Sequence, residues 1–491
     1  MQEADHLGRG ASFFVLVALL VSLLLSCGYQ QPTASSSKST ALRSKSTSTT
    51  IVKVLPTPST KPISAAVSSG HSTLPVIANG VAYVGTGDNA FYALQASDGK
   101  LLWRIKIDGA VVDFLVAADG VIYVSTYVGQ SGPAHLYALR ASDGAQLWEY
   151  HPGNNFISAP VVENGLAYIS APNGVMALRA SDGTQAWYFI ASGEAYISSL
   201  DNGVLYASAH VGDNGPGSAY ALRASDGQLL WSYTSSNPLD PPDVIDGMAY
   251  IGAWDGTLYA LQASNGKLLW HSVLSGDLLD TQEINGVLYV LTQKEVYEAI
   301  ARNTITASSM FAIGGLLGTM DPAKKMVPDK EFLSSLYAIR VSDGTILWQN
   351  ALNSGKASYA DRFSVDNGQL YGSEQISTGN TTNLGVVYAL RSTDGSAIWQ
   401  DEVNAYASGE QVANGIIYVS SGNDLGDATA LYALREHDGS LLWSYPLAAR
   451  STNIAIPVGG IVYIGADNGM VYALSARNGK LLWHYQTNVG M

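Results

Sequence analysis

The sequence predicts an all-β fold, a β-propeller of four-stranded antiparallel blades, on three observations. A phrase close to Tyr-Ala-Leu-x-Ala-Ser-Asp-Gly-x-x-Leu-Trp recurs nine times in the 491 residues, ending at Trp103, Trp148, Trp187, Trp231, Trp270, Trp348, Trp399, Trp443 and Trp483. Successive marks lie 45, 39, 44, 39, 78, 51, 44 and 40 residues apart, and a period near 40–45 is that of a propeller blade. Within each period, short apolar runs alternate with Asn-Gly or Asp-Gly pairs, the strongest short-range hairpin signal.

One unit shows why each strand forms. In residues 74–107, LPVIA, VAYVG, FYALQAS and KLLWRIKI are separated by Asn79-Gly80, a Gly/Asp/Asn loop and Asp98-Gly99. We name the strands A to D from the centre outwards. The A–B and C–D turns keep their chemistry in every unit, so the Asp of the C–D turn reads as a turn former. The B–C loops do not. They are short at Asn173-Gly174, Asp255-Gly256 and Asn468-Gly469, and long at 127–135, 210–218, 374–385 and 421–429. The longest, an insertion at about 294–335, starts with helix-like spacing at Val296, Tyr297 and Ile300 and holds the apolar residues Met310, Phe311, Leu316 and Leu317. B–C loops and D-to-A links share one face of the disc, so that face is expected to carry binding.

Residues 1–27 read as a signal segment. A 16-residue apolar run over 11–26 is short for a membrane span. It ends in Leu24-Leu25-Ser26-Cys27-Gly28, which resembles the bacterial lipoprotein signal and makes Cys27, the one cysteine, the lipidation site. Residues 28–70, rich in Ser, Thr, Lys and Pro, read as a disordered tether, and 71–491 as the propeller. The formal charge of -14 and the lack of a basic stripe exclude nucleic acid as a partner. A single cysteine excludes internal disulfides and cysteine-based metal sites.

The units TLYALQASNGKLLW (257–270) and MVYALSARNGKLLW (470–483) resemble PQQ-like repeats, with Ala93, Gly99 and Trp103 in register in the first unit. That resemblance covers about residues 72–487. It implies that the nine tryptophans dock blades together, and it favours eight blades although nine units are counted, leaving eight or nine. Some PQQ-like proteins are dehydrogenases that hold pyrroloquinoline quinone and calcium in the central funnel, many on an adjacent Cys-Cys disulfide this chain cannot form. Acids near the inner strands, where a channel would run, are Asp113, Glu163, Asp201, Asp243, Glu283, Asp361, Asp366 and Glu410. Others are scaffolds, including the lipoprotein subunit of the outer-membrane β-barrel assembly machine.

The scattered histidines, His135, His210 and His271 among them, read as surface or loop residues, and no catalytic or metal-ligating residue is assigned. Trp254, the one tryptophan outside the repeat slot, is a candidate binding aromatic. The expectation is a monomeric, lipid-anchored, extracytoplasmic scaffold at the cell surface or in the periplasm, without a cofactor, binding a protein through the B–C face. A cell-wall polysaccharide binder and a quinoprotein dehydrogenase are the alternatives.

Overall fold

The computed structural model describes residues 53–54, 75–86, 89–108, 110–127, 134–152, 160–171, 173–212, 215–297, 330–352, 358–360, 362–376, 384–403, 406–422, 429–449 and 455–487. Among these, nine antiparallel sheets of consecutive A, B, C and D strands follow one another along the chain. Blade one runs from Val76 to Lys106, blade two from Ala110 to Tyr150, blade three from Val161 to Ile190 and blade four from Glu194 to Ser235. Blade five runs from Asp243 to Val273, blade six from Asp277 to Ala351, blade seven from Ser358 to Val403, blade eight from Tyr406 to Pro446 and blade nine from Ile456 to Gln486. The A strands contact the A strands of neighbouring blades, which places them innermost.

Nine blades, not the favoured eight, form the ring. No repeat unit is degraded: each supplies its own four strands, and the ninth closes directly on the first. Trp483 Nε1 and Tyr463 Oη both donate to Ala96 O, at 2.8 and 3.0 Å.

The same latch recurs at every junction. The strand-D tryptophan donates its indole N–H to a carbonyl just after strand C of the next blade. The pairs are Trp103 to Ala141, Trp148 to Ala180, Trp187 to Ala224, Trp231 to Ala263, Trp270 to Val341, Trp348 to Ser392, Trp399 to Glu436 and Trp443 to Ala476. Even blade six, interrupted by the long insertion, is latched this way. The apolar core is accordingly divided into layers between blades, and one layer joins Val471, Ala473 and Trp483 of blade nine to Ala82, Val84 and Tyr92 of blade one.

The two turn types differ in geometry. At the A–B turn both central residues have positive φ, as in Asn79 (50°) and Gly80 (77°), the primed turn that matches strand twist. At the C–D turn only the glycine is left-handed, and strand D then bulges, as at Leu102 opposite Ala93 and Leu94. There the Asp side chain caps the backbone: Lys100 N donates to Asp98 Oδ1 and Ala145 N to Asp143 Oδ1, both at 3.0 Å.

Blade six departs from the expected insertion. Strand B extends over Val287–Tyr297 and strand C over Lys330–Arg340, paired without interruption from Val287↔Arg340 to Tyr297↔Lys330. Residues 294–297 and 330–335 are therefore sheet, and the helical spacing at Val296 and Tyr297 is overridden by ladder pairing. Ile300, Met310, Phe311, Leu316 and Leu317 lie outside the described residues, as does Cys27. Within the stretch read as tether, Lys53–Val54 pairs in parallel with Asp401 and Glu402 on the outer strand of blade seven.

Candidate functional site

The link from blade four to blade five is where unusual chemistry collects. Trp254 sits in the B–C turn of blade five, just beyond strand B (Met248–Gly252), and is partly exposed. Its indole N–H donates to Asp240 Oδ1 at 3.0 Å. Its ring centroid lies 4.9 Å from His210, which in turn stacks on Tyr196 at 5.6 Å and an interplanar angle of 14°. His210 ends strand B of blade four and Tyr196 lies in strand A, so neighbouring blades supply one aromatic ledge on the B–C side.

Beneath the ledge, between blades five and six, is a cavity of about 20 Å³ lined by Asp240, Asp243, Asp280, Tyr250, Leu278 and Thr281 among others. Asp243 starts strand A of blade five, and Asp280 lies on strand A of blade six. Removal from water raises all three carboxyls. Asp240 is pushed up to about 7, with its bond from Trp254 opposing and Asp277 and Asp243 adding to the rise. Asp243 is pushed up to about 6 against a hydrogen bond from Thr281, at 2.8 Å. Burial takes Asp280 to about 7, although the Phe363 N–H (3.2 Å) and Arg362 favour its charged form. Asp280 Oδ1 is buried with no hydrogen-bond partner among the described residues.

Of the acids named from sequence, only Asp243 lines this cavity. Glu283 accepts from Tyr250 Oη and Glu410 from Ser373 Oγ. Asp201 bonds its neighbour Asn202, and Glu163 is exposed at a strand end. The side chain of Asp113 and all of Asp361 lie outside the described residues, and Asp366 is only partly buried on strand A of blade seven. Asp240 was missed because it lies in a D-to-A link, and Asp280 because a register shift between Leu278 and Asp280 turns it inward. The proline-rich run Asn237-Pro238-Leu239-Asp240-Pro241-Pro242 was the available signal, since no other link is so stiffened.

The histidines also differ from expectation. His271 is exposed, but His135 and His210 are buried, at 7% and 6% exposure. His135 Nδ1 lies 2.8 Å from Glu149 Oε1, and the His151 ring stands edge-on to it with centroids 4.6 Å apart.

A cavity of this size holds about one water. Pyrroloquinoline quinone, a three-ring molecule, does not fit it.

Four segments, 41–131, 125–239, 191–310 and 332–490, the first three overlapping in turn, match the family described as "Outer membrane protein assembly factor BamB" (PQQ_2). The chain belongs to the PQQ_2 family. The match spans most of the ring and agrees with the propeller architecture. Several solved structures are similar to this PQQ_2 propeller. BamB from Moraxella catarrhalis is 14% identical over 76% of this chain and 97% of its own, with a TM-score of 0.45. The quinohemoprotein alcohol dehydrogenase ADHIIG from Pseudomonas putida HK5 is 15% identical over 74% of this chain and 71% of its own, with a TM-score of 0.44. The computationally designed Ika8 protein is 12% identical over 84% of this chain and 98% of its own, with a TM-score of 0.47. No curated protein matches the chain.

Proposed function

We propose that this chain is a non-catalytic binding scaffold, held outside the cytoplasm by lipid on Cys27, that presents its B–C face to a protein partner. One observation carries the reading. Among the described residues, the three most exposed large apolar side chains, Ile190 (75%), Val273 (68%) and Val211 (56%), all sit on that face. Ile190 and Val273 end strand D of blades three and five, and Val211 follows strand B of blade four. Apolar groups this exposed at loop ends mark an interaction surface. The long B–C hairpin of blade six rises on the same side. Membership in a family described by an assembly factor supports the same class of role. No helix among the described residues is long and apolar enough to cross a membrane.

In-cell crosslinking of the full chain with mass spectrometry tests this. One dominant protein should crosslink to the B–C face, and the double variant Ile190→Glu, Val273→Glu should lose it while keeping the fold. Deleting residues 298–329, which leaves the described strands intact, should weaken it further. An unchanged partner set, or crosslinks confined to the A–B turns, would remove the proposal. Cys27→Ser should release the chain from the membrane fraction.

The aromatic ledge favours a second reading, a glycan binder, because stacked rings beside hydrogen-bonding groups suit sugar faces. Trp254→Ala would then abolish retention on cell-wall polysaccharide and leave the crosslinks unchanged.

A further inference from the structure

We propose that His135, Glu149 and His151 form a binding site for a divalent transition-metal ion of the zinc class at the loop-face end of blade two. One ligand atom from each lies within 4.8 Å of the other two. The C–D hairpin of that blade makes the grouping. Tyr137 pairs with Glu149 across strands C and D, so continuing the ladder by two residues sets His135 opposite His151. Alternation along each strand then directs all four side chains to one face.

The distances suit a metal centre. Glu149 Oε1 lies 2.8 Å from His135 Nδ1 and 3.4 Å from His151 Nε2. Two bonds of ~2.0 Å at a tetrahedral angle put ligand atoms ~3.3 Å apart, so one contact already matches and the other opens by about half an ångström. Two imidazoles and a carboxylate suit zinc, copper or nickel, whereas calcium and magnesium take oxygen. The carboxylate is held in place, accepting hydrogen bonds from His135 and Tyr137. Tyr137, whose ring stacks on His135 at 5.9 Å, thereby orients a ligand from outside the coordination shell.

His135 also carries a ring nitrogen that the site does not use. His135 is 7% exposed, and its Nε2 is buried with no hydrogen-bond partner among the described residues. Whichever nitrogen carries the proton, one polar position on a buried ring goes unanswered, a costly way to fill space. His151 is the open end, with its side chain 59% exposed. Three protein ligands leave a fourth position for water or for a donor from a bound partner.

The test uses the full chain in detergent, stripped with chelator and dialysed against Zn²⁺ or Co²⁺. One equivalent should be retained, and Co²⁺ should give the intense visible absorption of a tetrahedral site. His151→Ala removes an exposed ligand, so the fold should survive by circular dichroism while affinity falls at least ~100-fold. Tyr137→Phe keeps all three ligands and should cost about tenfold. His271→Ala should change nothing. No retained metal, retention unaffected by His151→Ala, or uptake without a one-equivalent plateau would overturn the site.

Discussion

Trp483→Ala should destabilise the protein by about 3–5 kcal/mol and open the ring between blades nine and one. Trp483 is 7% exposed, and its indole N–H bonds Ala96 O at 2.8 Å. The ring packs flat against the C–D turn of blade one, where Gly99 has φ +72°. A Cβ on Gly99 would lie 2.6 Å from Trp483 Cε3, so only glycine lets the indole approach so closely. Trp231, at the junction of blades four and five, has the same exposure and the same kind of bond, to Ala263 O. The difference lies in the chain. Blades four and five remain joined by their own link, whereas blades nine and one are held by side chains and a few hydrogen bonds, including Tyr92 Oη to Thr487 O. Trp231→Ala should therefore lower stability without local fraying. Trp483→Ala should also expose residues 76–95 and 461–486 to hydrogen exchange well below the global unfolding energy. Trp483→Phe, which keeps most of the apolar area and loses the N–H, should cost about 1 kcal/mol. Equal exchange protection in the Trp483→Ala and Trp231→Ala variants would show that closure is no weaker than any other junction.

How much could be read in advance follows from the range over which each signal acts. The tryptophan latch and both turns are local, because a residue type at a fixed offset dictates each one. Strands, blades and the contrast between the two faces were therefore legible from spacing. Blade number was not, because nine units were weighed against a family habit of eight. Nothing in a single unit states the angle between neighbours, and the contact of Trp483 with Gly99 spans almost the whole ring. The extended hairpin of blade six was hidden because Val296 and Tyr297 fit helical spacing, while their pairing with Glu331 and Lys330 lies across the insertion. The site chemistry failed for the same reason. His135 and His151 face each other only once the C–D register is set. Asp240, Asp243 and Asp280 come from a link, a strand start and a bulged strand.

Those three aspartates give the protein an unusual pH response, and stability should fall as pH rises from about 4 to about 7. Their folded values, about 7, 6 and 7, lie above the ~3.9 of an unfolded aspartate. Between those limits the native state holds more protons than the unfolded chain, so raising the pH favours unfolding. The contribution is fully present below pH ~4 and is lost through the folded values. Asp280 alone, shifted by about three units at 7% exposure, accounts for up to ~4 kcal/mol. Because Asp243 raises Asp280 and Asp240, the three do not add, and we expect a total of the same order. The melting temperature should therefore be higher at pH 5 than at pH 7.5 by about 2–5 °C. At the acid end the trend reverses. Backbone and side-chain hydrogen bonds hold the turn residues Asp182, Asp343, Asp394 and Asp438 below their ordinary values, and protonating them removes those bonds. Asp280→Asn keeps an oxygen for the Phe363 N–H and removes the ionisation. It should stabilise the protein at pH 7.5 and flatten the slope between pH 5 and 7.5. Trp254→Ala should move Asp240 further upward by deleting the one bond that favours its charge. A slope unchanged by Asp280→Asn would place the titration elsewhere and leave the cavity an ordinary packing defect.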